Sequence, residues 1–135
     1  MRYFGVEEAN SLIPLLTRTF TVVRPFVERV HVLVRELDEL QDAGAGPERT
    51  APLRGERDAL IERIQGELEQ FQDLGVEIKA ADGLVDFRAL KAGRPVYLCW
   101  RFGELAVAHW HELEGGFAGR QPILQAHEFA PSYLS

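Results

Sequence analysis

Cysteine is nearly absent from this chain: 135 residues hold only Cys99, so no internal disulfide can form and the fold must close on a hydrophobic core. A domain of this size buries roughly two-thirds of the surface its unfolded chain exposes, which is enough for that. The lone thiol points to a reducing compartment, and the protein is expected in the cytoplasm. Long apolar runs are missing as well. Nothing after Arg2 has the form of a secretory leader, and no stretch approaches the roughly 20 apolar residues that cross a bilayer, so no membrane partner is expected. Basic clusters are also absent. Of 15 basic residues only Lys79 and Lys91 are Lys, they are scattered, and the net charge is -6. Phosphate contacts need a basic patch that releases counterions, so no nucleic-acid partner is expected.

What is present is helical periodicity followed by strand periodicity. Leu12, Leu16, Phe20, Val23, Val27, Val30, Val34 and Leu37 step by three and four, one apolar stripe on a long first helix. Gly5 can cap it, with Glu7 and Glu8 in the first turn where the helix dipole favours carboxylates. Pro14 and Pro25 predict a kink or break at one of them. The breaker cluster Ala43-Gly44-Ala45-Gly46-Pro47, continued to Pro52, reads as a mobile polar connection, with a second helix from near Leu53 to the C-cap Gly75. The helices should pair antiparallel. The second, at about 22 residues, spans roughly 33 Å against roughly 55 Å for the first, so part of the first stripe overhangs and offers an oligomer interface. Beyond Gly75 the period becomes two. Residues 76–79, 84–89, 95–102 and 106–112 predict four short antiparallel strands, and from Gly115 onward an irregular tail.

Chemistry concentrates between Tyr97 and Arg120, which hold the only Cys, both Trp and two of the four His. A tight turn between the third and fourth strands would put Leu98, Trp100, Phe102, Val107, His109 and His111 on one face, toward the helices. Tyr97, Cys99, Arg101, Ala106, Ala108 and Trp110 would share the other. His109 and His111 could give two nitrogens to a divalent metal, with Glu114 or Glu8 completing the set, although His rings packed at a sheet edge are the blander reading. Cys99 would face away from His111 and serve as a buried structural residue rather than a nucleophile. Arg101 and Arg120 could bind an anion, or else pair with Glu104, Glu112 or Glu114. His31 and His127 carry no assigned role.

Phe4-Gly5-Val6-Glu7-Glu8-Ala9-Asn10, Gly83-Leu84-Val85-Asp86-Phe87, Leu98-Cys99-Trp100-Arg101-Phe102-Gly103-Glu104, Trp110-His111 and Gly116-Phe117-Ala118-Gly119-Arg120 together resemble a small bacterial family carried as a domain of unknown function. The similarity runs from Tyr3 to Pro122. It brings no activity. It implies that the position of Gly5 is typically Thr and that of His109 commonly another aromatic, which leaves His111 as the better single candidate. Glu8, Trp100, Arg101 and Arg120 are the other positions the family motifs share.

The expected architecture is α+β: a long kinked helix and a second helix as an antiparallel hairpin, packed on a small antiparallel meander. One domain spans 1–135, with the helical hairpin at 6–74, the meander at 76–112 and an irregular tail at 113–135. The expected function is a binding or interaction module that oligomerises through the first helix and carries a small polar or metal site around His111. Its ligand-binding candidates are His111, Arg101, Arg120 and Trp100, its metal candidates are His111, His109, Glu8 and Glu114, and its cofactor would be a divalent metal. The competing reading is a metal-dependent hydrolase-like enzyme using His111 with nearby carboxylates.

Overall fold

The structure, a computed structural model, describes residues 2–130. Gly5 in extended conformation caps α1 (Val6–Ser11), whose first turn carries Glu7 and Glu8. The chain turns at Leu12 and resumes as α2 (Ile13–Asp42). Pro14 sits in the first turn of α2, where its missing N–H has no helical partner to lose, so the predicted break falls just ahead of it. Pro25 lies inside α2 without interrupting it.

The connection to the second helix is shorter than the composition suggested. α3 runs Pro47–Asp73, with Pro47 in the first turn behind the extended cap Gly46, and Thr50 already buried. The stretch up to Pro52 is therefore helix, not a mobile linker, and the helix does not wait for Leu53. Pro47 is tolerated at the first helical position because its missing N–H would have no intrahelical acceptor there, and Pro52 lies inside α3 without ending it. At 30 and 27 residues, α2 and α3 are roughly 45 and 40 Å long, so the large overhang expected from sequence shrinks to a few ångströms. Both helices end on glycines with positive φ, Gly44 and Gly75. Behind α3, Val76 N donates to Phe71 O and Gly75 N to Gln72 O, the double bond of a Schellman motif, which Gly75 alone makes without a Cβ penalty.

Five antiparallel strands follow in sequential order: β1 (Glu77–Ala80), β2 (Leu84–Lys91), β3 (Arg94–Arg101), β4 (His109–His111) and β5 (Gln121–Pro122). The helices cover one face. Phe4, Leu16, Phe20, Val23 and Phe71 interlock there with Val85, Phe87, Leu98 and Trp100, all fully buried. Edge-on contact of Phe4 with Phe87, at 5.2 Å between ring centres, ties the N-terminal segment to β2.

The β3–β4 register differs from the expected one. Tyr97 pairs with His111, Leu98 with Trp110 and Cys99 with His109. Odd positions therefore share a face with odd positions. His109 and His111 point away from the helices, beside Tyr97 and Cys99, while Trp110 joins Leu98 and Trp100. The reason lies in the loop, which is longer than a tight turn. Residues 106–108 do not join the ladder, because Val107 N donates to Asn10 Oδ1 at 2.7 Å and Val107 is buried toward the helices with Trp110, three positions on. The predicted tail holds β5 and two short 3-10 turns, Phe117–Gly119 and Ala126–Glu128, and its residues 131–135 lie outside the described residues.

Candidate functional site

Strand register lines polar side chains into rows on the face away from the helices. Glu77, Asp86, Cys99 and His109 form one row across β1 to β4, and Arg88, Tyr97 and His111 form the next. Opposed residues on antiparallel strands hold their Cβ atoms about 4.5–5.5 Å apart, which brings Asp86 and Cys99 together, and the imidazole of His111 reaches across diagonally from the next row to Asp86. One ligand atom from each lies within 4.8 Å of the others, and all three residues are buried.

Hydrogen bonding fixes the ring of His111. Glu112 O is only an acceptor, so at 2.6 Å the Nδ1–H donates to it. Nε2 then faces both oxygens of Asp86, each at 3.1 Å. An unprotonated nitrogen and an ionised carboxylate would repel there. A cation, either a proton or a metal ion, has to lie between them. An imidazole oriented through Nδ1–H on a backbone carbonyl, with Nε2 toward the centre of a donor cluster, is the arrangement that metal-ligating histidines commonly adopt.

Cys99 completes the cluster. Burial, and secondarily the charge of Asp86, pushes its thiol from 9.0 up to about 12, against a downward pull from Arg120. Asp, Cys and His are the residue types of a cysteine hydrolase, but they are wired differently: His111 spends both nitrogens on Asp86 and a carbonyl, and the thiol is held neutral. A nucleophilic reading of Cys99 fails on those grounds.

Around the cluster stand two supports. On one side the Tyr97 ring packs at 5.4 Å from that of His111, while its hydroxyl donates to Glu77 and accepts from Arg88 Nη2 at 3.0 Å. Burial together with Glu77 raises the Tyr97 pKa. Burial alone would raise Glu77, but donation from Lys79 and Tyr97 outweighs it and the carboxyl is lowered. On the other side Arg120 Nη2 bridges Glu104 Oε2 and His109 Nδ1, and Glu104 Oε1 accepts Arg101 N at 2.7 Å. Arg101 and Arg120 both stack on Phe117, 5.3 and 4.6 Å from the ring centre.

Of the residues singled out from sequence, His111 is in the cluster and His109 and Arg120 border it. Arg101 is exposed over Phe117. Trp100 is on the opposite face of the sheet, fully buried against Phe20, its Nε1 donating to Glu104 O at 2.9 Å. Glu8 stays with α1 on the helix side, 3.1 Å from Arg2. Glu114 is exposed in the turn beyond β4, and Glu112 pairs with Arg94. The sequence pattern does not single out Asp86 as a site residue, and it gives Cys99 a structural role only. The available signal is a carboxylate directly between the apolar Val85 and Phe87, where alternation already places it on the face opposite its neighbours.

No curated protein and no solved structure matches the chain. Residues 2–123 match the model of the family described as Uncharacterized conserved protein (DUF2203), and the chain belongs to that family.

Proposed function

We propose that this protein is a metal-binding module whose site is Asp86, Cys99 and His111. One observation carries the reading: Nε2 of a ring already committed through Nδ1–H faces a buried carboxylate, with a thiol alongside. A carboxylate, an imidazole and a thiol together favour zinc among the common divalent ions. Ligand atoms around tetrahedral zinc sit roughly 3.3–3.8 Å apart, so donors now within 4.8 Å need only a small contraction. The metal would also reverse the electrostatics of Cys99, since coordination deprotonates a thiol.

The test is tag-free protein dialysed against zinc and, separately, cobalt(II). Stoichiometric metal with a thiolate-to-cobalt charge-transfer band is expected, and Cys99→Ala and His111→Gln should each remove it. Metal-free wild-type protein, or an unchanged band in Cys99→Ala, would sink the proposal.

Self-association through the first long helix is the second part of the reading. It is supported by Val22 and Val34, 45% and 39% exposed on α2, which line up at four-residue steps with half-buried Phe26 and Val30 as one ridge. Sedimentation at micromolar concentration should give a mass above 15.2 kDa, and Val34→Glu should return it to that value. A wild-type monomer removes this part and leaves the metal site standing.

A further inference from the structure

We infer that His109 is the fourth ligand of the Asp86–Cys99–His111 site, held in reserve by Arg120 and Glu104. The inference rests on the metal-site reading and deepens it, because it decides what kind of site this is. Three protein ligands and an open position make a catalytic zinc centre, whereas four make a closed structural one. Three donors converge in the present arrangement.

Position is the first argument. His109 stands directly opposite Cys99 on the neighbouring strand and on the same face of the sheet. Cβ atoms so placed are about 4.5–5.5 Å apart, within the span of one imidazole. The second argument is protonation. A guanidinium can only donate, so the bond between Arg120 Nη2 and His109 Nδ1 leaves a lone pair on Nδ1. His109 is thus kept in the form a metal requires. Charge is the third. Arg120 is simultaneously bonded to Glu104, whose Oε2 lies 3.9 Å from His109 Nδ1. The Arg120–Glu104 pair can persist without His109, so releasing the imidazole strands no buried charge.

Metal binding would then exchange one partner of His109 for another. The ring leaves Arg120 and turns onto the ion beside Cys99, and Arg120 stays on Glu104 and the Phe117 ring. The ligand set becomes Cys, His, His and Asp with no position left for water or substrate. That makes the ion a staple between β2, β3 and β4.

Cobalt(II) titrations of wild type, His109→Gln, Arg120→Met and Cys99→Ser separate the possibilities. Wild type should show the strong visible bands of four-coordinate cobalt. His109→Gln should weaken binding by more than about tenfold and reduce those bands toward the faint spectrum of a higher-coordinate, water-bearing ion. Arg120→Met, which frees His109 in advance, should tighten binding by at least about threefold. Thermal melts of the metal-free variants establish that each is folded. Wild-type affinity and spectrum in His109→Gln would overturn the fourth-ligand inference while the metal site survives, provided that Cys99→Ser has lost the charge-transfer band. Weaker binding in Arg120→Met would overturn it too. No cobalt binding by wild type would overturn both readings together.

Discussion

On the helix side of the sheet, Val85, Phe87, Leu98 and Trp100 are sealed by Leu16, Phe20, Val23 and Phe71; on the other side Asp86, Tyr97, Cys99 and His111 are almost as inaccessible, yet their neighbours are charged. The first set is held by area. Burying large apolar side chains stabilises by about 1.5–3 kcal/mol each and tolerates imprecision, since dispersion has no direction. The second set is held by a chain of directed bonds, in which each group has a specific partner. Losing one partner leaves the next unsatisfied in a low-dielectric place. Strand alternation produces both from the same two strands, because Val85 and Phe87 flank Asp86, and Leu98 and Trp100 flank Cys99. The fold thus supports a polar site on the back of its own core, and the rigidity of the helix-packed face fixes the donor spacing on the other.

The sharpest way to break that contrast is to truncate one residue on each side. Trp100→Ala should cost about 3–5 kcal/mol in urea unfolding, as large aromatic truncations in a core do, and it also removes the donor to Glu104 O. Asp86→Ala should cost less, about 1–3 kcal/mol, the penalty for leaving His111 and Cys99 without their acceptor. Asp86→Asn should cost less again, because an amide can donate to Nε2 and needs no cation between them. That variant should nevertheless lose metal. An Asp86→Ala cost above that of Trp100→Ala would invert the comparison and make the polar network the main support of the sheet.

Which parts of this were legible in the sequence follows the same division. The helix-facing stripe could be read directly, since Leu16, Phe20, Val23 and Leu37 repeat at helical spacing and burial is decided residue by residue. The caps Gly5 and Gly75 could be read for the same local reason. The start of α3 could not, because proline and glycine at 46–47 are as good a helix entrance as they are a linker, and only the burial of Thr50 tells the two apart. The polar face was lost on a single parity. Register between β3 and β4 depends on how many residues the loop keeps out of the ladder, and that is set by Asn10, far away in sequence, accepting from Val107 N. With parity reversed, Cys99 and His111 fall on opposite faces while Trp100 and His111 share one. The motif Gly83-Leu84-Val85-Asp86-Phe87 contained the missing partner all along, but its neighbours across the sheet could not be named without the register.

The smallest expected effect is a pH dependence that belongs to the polar face alone. The Cys99 thiol is raised by burial from 9.0 to about 12, so between those values the unfolded chain has given up a proton that the folded chain keeps. Unfolding then releases a proton. Stability contributed by the neutral thiol is complete below pH 9, declines as pH rises, and is gone above the folded-state value, with a slope approaching about 1.4 kcal/mol per pH unit. Tyr97, raised by burial and Glu77, and Lys79, raised by its bond to Glu77, act with the same sign. Cys99→Ala therefore flattens the decline without abolishing it. The measurement is urea unfolding of metal-free wild type and Cys99→Ala at pH 8 and at pH 10, comparing the losses between the two pH values rather than the absolute stabilities, which the truncation itself lowers. Trp100 and its apolar neighbours do not titrate, so a core truncation such as Leu98→Ala should keep the full wild-type decline. Equal declines in wild type and Cys99→Ala would mean that the thiol reaches water in the folded protein, and that the outer face is open where the inner one is closed.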